Sequence, residues 1–182
     1  MGSVVISGAT SGAITLAVPA EAGTRTLTLP AETGSVLTNA TPGTILQVIH
    51  AETGAQVTVS SATFVDLGLS AAITPSATSS KIYVAFNIGG IFVSATAAGY
   101  AKIELVRGST VIAKPGYIVG GLQTANEWTG SSSAGFDLDS PSTTSAVTYK
   151  VQGNAMNGST INFQRDGAAY IISSMILMEV AG

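Results

Sequence analysis

Apolar residues recur at every second position in short runs along this chain. Segments 4–6, 14–18, 27–29, 45–49 and 57–59 are short, β-branched and Thr-rich, and 81–88, 101–106, 147–151, 160–163 and 170–180 continue the pattern. Gly, Pro, Ser and Asn clusters lie between them and punctuate strands. No window carries a helical repeat with caps. The spacing predicts an all-β chain. The strongest strand is expected over 81–88, with Ile82, Val84, Phe86 and Ile88 on one face. Residues 70–80 read as a strand, a turn around Pro75 and the entry to that strand. The run from Gly120 to Gly135 reads as the longest irregular region, and long loops in compact domains are usually functional or mobile. The closing run, Met175 to Val180, is apolar at nearly every position, which predicts a strand buried on both faces or at a subunit interface.

The opening forty residues contain a repeat. Leu16-Ala17-Val18-Pro19-Ala20-Glu21-Ala22-Gly23 aligns with Leu27-Thr28-Leu29-Pro30-Ala31-Glu32-Thr33-Gly34, eleven positions later. Each unit is a short strand followed by a turn in which Pro sets φ and Gly supplies positive φ. Such a unit has too little apolar surface to fold alone. Two readings stay open: a pair of ordinary hairpins, or a stem stacked on identical chains. On the second, Ile14, Leu16, Val18, Leu27 and Leu29 would touch other copies or a larger assembly, as would Ile176 and Met178 of the last strand. A polar turn cluster at 38–43 marks a boundary, so residues 1–40 are expected to form a β-repeat stem and 41–182 a β-sandwich head of seven to nine strands.

Composition narrows the classes. Only 9% of the 182 residues are charged while 46% are hydrophobic. That balance opposes disorder and deprives a lone β-protein of its usual solubility device, so much of the surface is expected to be covered. The net charge is -3 with seven scattered cations, which argues against nucleic-acid binding. No apolar run approaches the roughly 20 residues of a membrane-spanning helix, so no membrane insertion is expected. No basic region follows Met1, which speaks against a secretory signal. Without cysteine there is no disulfide, thiol nucleophile or thiolate metal site.

Catalytic chemistry finds no constellation. His50 is the sole histidine and has no Gly-x-Ser-x-Gly elbow to serve, so it reads as an exposed or interface residue. Asp137 and Asp139 share one face of a strand, where they could hold a hard cation or accept backbone N–H bonds at the turn around Pro141. Gly89-Gly90 and Gly120-Gly121 lack the ending of a phosphate loop, and the first pair reads as a bulge or tight turn. Asn157-Gly158 signals a hairpin turn between segments 150–153 and 160–163. Asn126, Glu127 and Trp128, with the only tryptophan, are the candidate surface-binding loop, because an exposed Trp is a feature of binding hot spots. Tyr117 and Tyr170 are the other aromatics of interest. No cofactor and no resident metal are called for.

An ordered series of motifs resembles a family of bacteriophage fibre-like virion proteins. It runs from Ser11-Gly12-Ala13-Ile14-Thr15-Leu16 and Gly23-Thr24-Arg25-Thr26-Leu27-Thr28-Leu29-Pro30-Ala31 through Glu32-Thr33-Gly34-Ser35-Val36-Leu37. It continues with Ile73-Thr74-Pro75-Ser76, Thr78-Ser79-Ser80-Lys81-Ile82, Leu105-Val106-Arg107-Gly108 and Asp139-Ser140-Pro141. Thr143 to Val151 and Met175-Ile176-Leu177-Met178-Glu179-Val180 complete it. The resemblance implies a homotrimeric virion protein with a β-stem and a jelly-roll-like head, similar in outline to tumour-necrosis-factor or C1q heads. It transfers no catalytic residues. Departures fall at 89–99 and 120–135, where specificity would reside.

The expected function is a non-enzymatic fibre or adhesin at the particle surface that aids host adsorption. Its partners would be its own copies, tail, baseplate or major capsid proteins, and a host glycan or protein. The alternative is a capsid decoration (cement) protein at threefold positions of the phage head. A polysaccharide-degrading enzyme is the third class, with no acid pair marked out for it.

Overall fold

A computed structural model describes residues 3–7, 13–17, 41–94, 99–119, 129–165 and 171–182. The chain divides into two compact units, Met1–Val36 and Leu37–Gly182. In the first, β1 (Ser3–Ser7) pairs antiparallel with β2 (Ala13–Ala17), setting Val4 opposite Leu16 and Ile6 opposite Ile14.

The second unit is a sandwich of two antiparallel sheets. Its strands are β3 (Ile45–Thr53), β4 (Val57–Val59), β5 (Val65–Ile73), β6 (Lys81–Ser94) and β7 (Tyr100–Arg107). Then come β8 (Thr110–Val119), β9 (Thr129–Asp139), β10 (Val147–Met156), β11 (Thr160–Phe163) and β12 (Ser173–Val180). Sheet one carries β3 beside β12, β12 beside β6, and β9 on the other edge of β6. The short strands β11 and β4 extend this sheet past the end of β12, with β11 pairing the last residues of β6. Sheet two has the order β5-β10-β7-β8. Most successive strands switch sheets, as in a jelly roll, while β3–β4, β7–β8 and β11–β12 each stay within one.

Period-two patterning works as expected in the core. Ile82, Val84, Phe86 and Ile88 of β6 are all buried, and they meet Leu67 and Leu69 of β5, Leu105 of β7, Val151 of β10 and Leu177 of β12. Gly89 and Gly90 form the expected bulge in β6, where the register to β9 shifts between Ile88 and Ile91. Gly90 has φ +56°, and the Ile171 side chain fills the space a Cβ would need. The Gly90 carbonyl accepts from the Arg165 N–H at 3.0 Å, so the bulge holds the segment leading to β12.

Three expectations change. Residues 129–135 are strand rather than loop, because β9 pairs with β6 from Thr129 to Asp139. Its Thr-Gly-Ser-Ser-Ser-Ala-Gly sequence has no apolar alternation, so its extended form comes from the partner strand. Asn157-Gly158 does turn, with φ 56° and 67° and a Ser159 N–H to Met156 carbonyl bond of 3.2 Å. It is no hairpin, however: β10 lies in sheet two and β11 in sheet one, so this turn carries the chain across the sandwich. The last strand, β12, is buried on one face only, which removes the first of its two expected readings and leaves the subunit-interface one open. Met175 and Leu177 enter the core while Ile176, Met178 and Val180 stay half-exposed on the other side.

Candidate functional site

The two outer faces of the sandwich differ in chemistry. On sheet two, Asp66, Ser70, Thr148, Lys150, Gln152 and Lys102 point outward. Asp66 accepts from Lys150 Nζ at 2.9 Å and from Gln152 Nε2. The Gln152 hydrogen bond, then Lys150, hold the Asp66 carboxyl below its usual range despite some burial. Glu104, Val106 and Asn154 lie in the same outward rows but are buried, so only part of this face is solvated.

Sheet one is the reverse. Cross-strand register places His50, Ile176, Ala85 and Phe136 in one row over β3, β12, β6 and β9. The next row is Val48, Met178, Tyr83 and Leu138. Phe136 is 74% exposed, Leu138 52%, and Val48 and Ile45 55% each. Most of the large exposed hydrophobics among the described residues therefore share one surface.

Strand β9 creates half of that surface by facing inside out. Its acids Asp137 and Asp139 turn toward the sandwich interior while Phe136 and Leu138 turn to solvent. Two observations explain the choice of register. Asp139 accepts from Arg107 Nη1 at 2.7 Å to each carboxylate oxygen and from the Tyr149 hydroxyl at 2.7 Å. Gly135 sits against the Phe86 ring, where any side chain would collide. Burial, with the Asp139 carboxylate beside it, pushes the Tyr149 phenol far up, so it stays a donor.

The candidate residues from the sequence divide three ways. Ile176 and Met178 lie at the centre of the apolar face. Ile14 and Leu16 lie on β2, opposite Ile6 and Val4. Val18, Leu27, Leu29, Asn126, Glu127, Trp128 and Tyr170 lie outside the described residues. Tyr117 is in β8, in register with Lys102. His50 is exposed on β3 and is the one histidine on the face. The Asp137–Asp139 pair is not a joint cation site, because Asp139 already neutralises Arg107 across the sheets. Among the described residues no three His, Cys, Asp or Glu side chains cluster as metal ligands. Nor, among the described residues, is any helix long and apolar enough to cross a membrane.

Sequence reasoning missed Ile45, Val48, Tyr83, Phe136 and Leu138. The alternation Phe136-Asp137-Leu138-Asp139 was a visible signal. Read by the usual rule it buries the apolar pair, and only the partners of Asp139 reverse it.

No protein-family model matches the chain, and no curated protein does. Among solved structures it is similar to the crystal structure of the infectious bursal disease virus VP2 subviral particle, at 12% identity and a TM-score of 0.36. That match covers 93% of this chain and 46% of the other, so the chain spans less than half the length of that protein.

Proposed function

We propose that this chain is a non-enzymatic structural protein of a bacteriophage particle, a homotrimeric fibre or adhesin at the virion surface that aids host adsorption. The observation that carries it is the asymmetry of the head: one outer face carries Asp66, Lys102 and Lys150, and the other leaves Val48, Met178, Phe136 and Leu138 in its central rows across four strands. A subunit that functions inside an assembly has a use for such a face, and a free-standing enzyme or carrier does not. The phage-fibre resemblance of the N-terminal repeat and closing strand supplies the particle, with tail, baseplate or major capsid proteins as neighbours. Three heads held together would present their loops jointly to a host glycan or protein, raising avidity above that of one site.

A second reading is a decoration protein on the phage head, favoured by the modest chain of 182 residues. Cryo-electron microscopy of the particle separates them. Density for the head domain at the tail or baseplate is expected for the fibre, and density on capsid threefolds for the decoration protein. Absence of the chain from purified particles overturns both.

A further inference from the structure

We propose that Asn157 is a site of self-modification, at which the side-chain amide converts to a mixture of aspartate and isoaspartate with water as the only co-reactant. The proposal is independent of the assembly reading above.

The step needs no enzyme. The Gly158 backbone nitrogen gives up its proton to solvent base and attacks Asn157 Cγ. The bond from Cγ to Nδ2 breaks, and that nitrogen leaves as ammonia. A cyclic imide results, and water opens it at either of its carbonyls. Opening at Cγ restores the main chain and leaves aspartate. Opening at the backbone carbonyl routes the main chain through Cβ and Cγ and leaves isoaspartate. Nothing is oxidised or reduced: the amide and a water become a carboxylic acid and ammonia.

Several observations single out this residue. The attacking nitrogen belongs to a glycine, and nothing lies within 4 Å of where a Cβ would stand at Gly158. Asn157 and Gly158 are both exposed, so water and base reach the amide. Neither belongs to a strand: β10 ends at Met156 and β11 begins at Thr160. Ring closure needs rotation about the Asn157 Cα–C bond, and an exposed turn opens at far lower cost than a core sheet ladder. The other asparagines of the described strands lack these features. Asn87, Asn154 and Asn162 lie in β6, β10 and β11 and precede Ile88, Ala155 and Phe163. Asn154 is buried, with its amide held between the Ala62 carbonyl and the Lys102 N–H. Asn162 Oδ1 accepts from the Thr58 hydroxyl at 2.8 Å.

The position gives the reaction a consequence. Asn157 and Gly158, at φ 56° and 67°, form the turn that carries the chain from sheet two to sheet one. The Ser159 N–H closes it on the Met156 carbonyl at 3.2 Å. Isoaspartate inserts a methylene into the main chain inside that closure and adds a carboxylate. The isoaspartate form should therefore unfold at lower denaturant than the unconverted chain.

The test is incubation of the full folded chain at neutral and mildly alkaline pH, followed by tryptic digestion and mass spectrometry. Cleavage after Lys150 and Arg165 releases one peptide that holds Asn154, Asn157 and Asn162, so a single spectrum compares them. A sample digested without incubation sets the baseline. The amide-to-acid mass gain is expected at Asn157 about tenfold or more faster than at Asn154 or Asn162, and faster as pH rises. An isoaspartyl methyltransferase should label the product. Gly158→Ala, checked for its fold by circular dichroism, should slow conversion about tenfold or more. Asn157→Asp should unfold close to wild type, which separates the new charge from the added methylene. Conversion at Asn157 no faster than at Asn154 or Asn162, or unaltered by Gly158→Ala, overturns the proposal. So does conversion confined to the urea-unfolded chain, since the folded turn would then protect the amide. An isoaspartate fraction that unfolds with wild type overturns the consequence for the crossing.

Discussion

Arg107 of β7 and Asp139 of β9 tie the two sheets together, one Nη1 atom lying 2.7 Å from both carboxylate oxygens. The pair is partly shielded, with side chains 26% and 11% exposed. An exposed pair is worth about 0–1 kcal/mol, and breaking a buried one costs about 3–5. Arg107→Met should fall between, costing about 2 kcal/mol in urea unfolding, since it leaves Asp139 with the Tyr149 hydroxyl alone. Tyr149→Phe should cost about 1 kcal/mol. The double variant should lose less than the sum, because the two donors share one acceptor. Strict additivity would show that the three groups do not act as a unit.

Glu179 gives the sandwich an acid-resistant lock. It is buried at the inner side of β12 and accepts from the Ser76 N–H at 2.6 Å, the Ser76 hydroxyl at 2.7 Å and Gln47 Nε2 at 2.6 Å. Burial alone would raise its pKa, but these hydrogen bonds outweigh it and hold the group at about 2, below its ordinary 4.5. A depressed folded-state value adds stability that is complete above about 4.5 and lost as pH falls toward about 2. Glu179→Gln should therefore be less stable by roughly 2 kcal/mol at neutral pH, with the deficit closing as pH approaches 2. Thermal unfolding at a series of pH values reads this directly, and a deficit independent of pH would contradict it.

Gly135 is small because of Phe86. A Cβ there would lie 2.7 Å from the Phe86 ring and 3.1 Å from Pro115. Gly135→Ala should destabilise by about 2 kcal/mol through overpacking. Phe86→Leu, which removes the ring, should recover part of that loss in the double variant. Failure of the second substitution to help would place the strain in the β9 backbone instead.

The turn at Asn157-Gly158 offers a backbone test without packing. Gly158 has φ +67° and nothing within 4 Å of where a Cβ would stand. Gly158→Ala should cost about 1 kcal/mol, the ordinary penalty for an L-residue in that region. A loss several times larger in the chemical-denaturation midpoint would mean the turn also fixes how β10 crosses to β11.

Much of the strand map was legible from local pattern. Segments 45–49, 57–59, 81–88, 101–106 and 160–163 all fall within strands, because β-branched alternation and Gly or Pro punctuation act over a few residues. The apolar face was only partly legible. Ile176 and Met178 stood out because they belong to a continuous apolar run, whereas the segment of Phe136 and Leu138 drew notice only for its acids, Asp137 and Asp139.

What the sequence determined by itself is the all-β class, the positions of most strands, and the sites of the Gly89-Gly90 bulge and the Asn157-Gly158 turn. Tertiary structure alone decided that residues 129–135 form a strand, that the 157–158 turn joins different sheets, and that β9 turns its acids inward. The reason is physical. Period two separates the residues of a strand into two faces, but which face is inside depends on what waits there. For β9 that is the Arg107 guanidinium, the Tyr149 hydroxyl and the Phe86 ring, all supplied by strands distant in the chain.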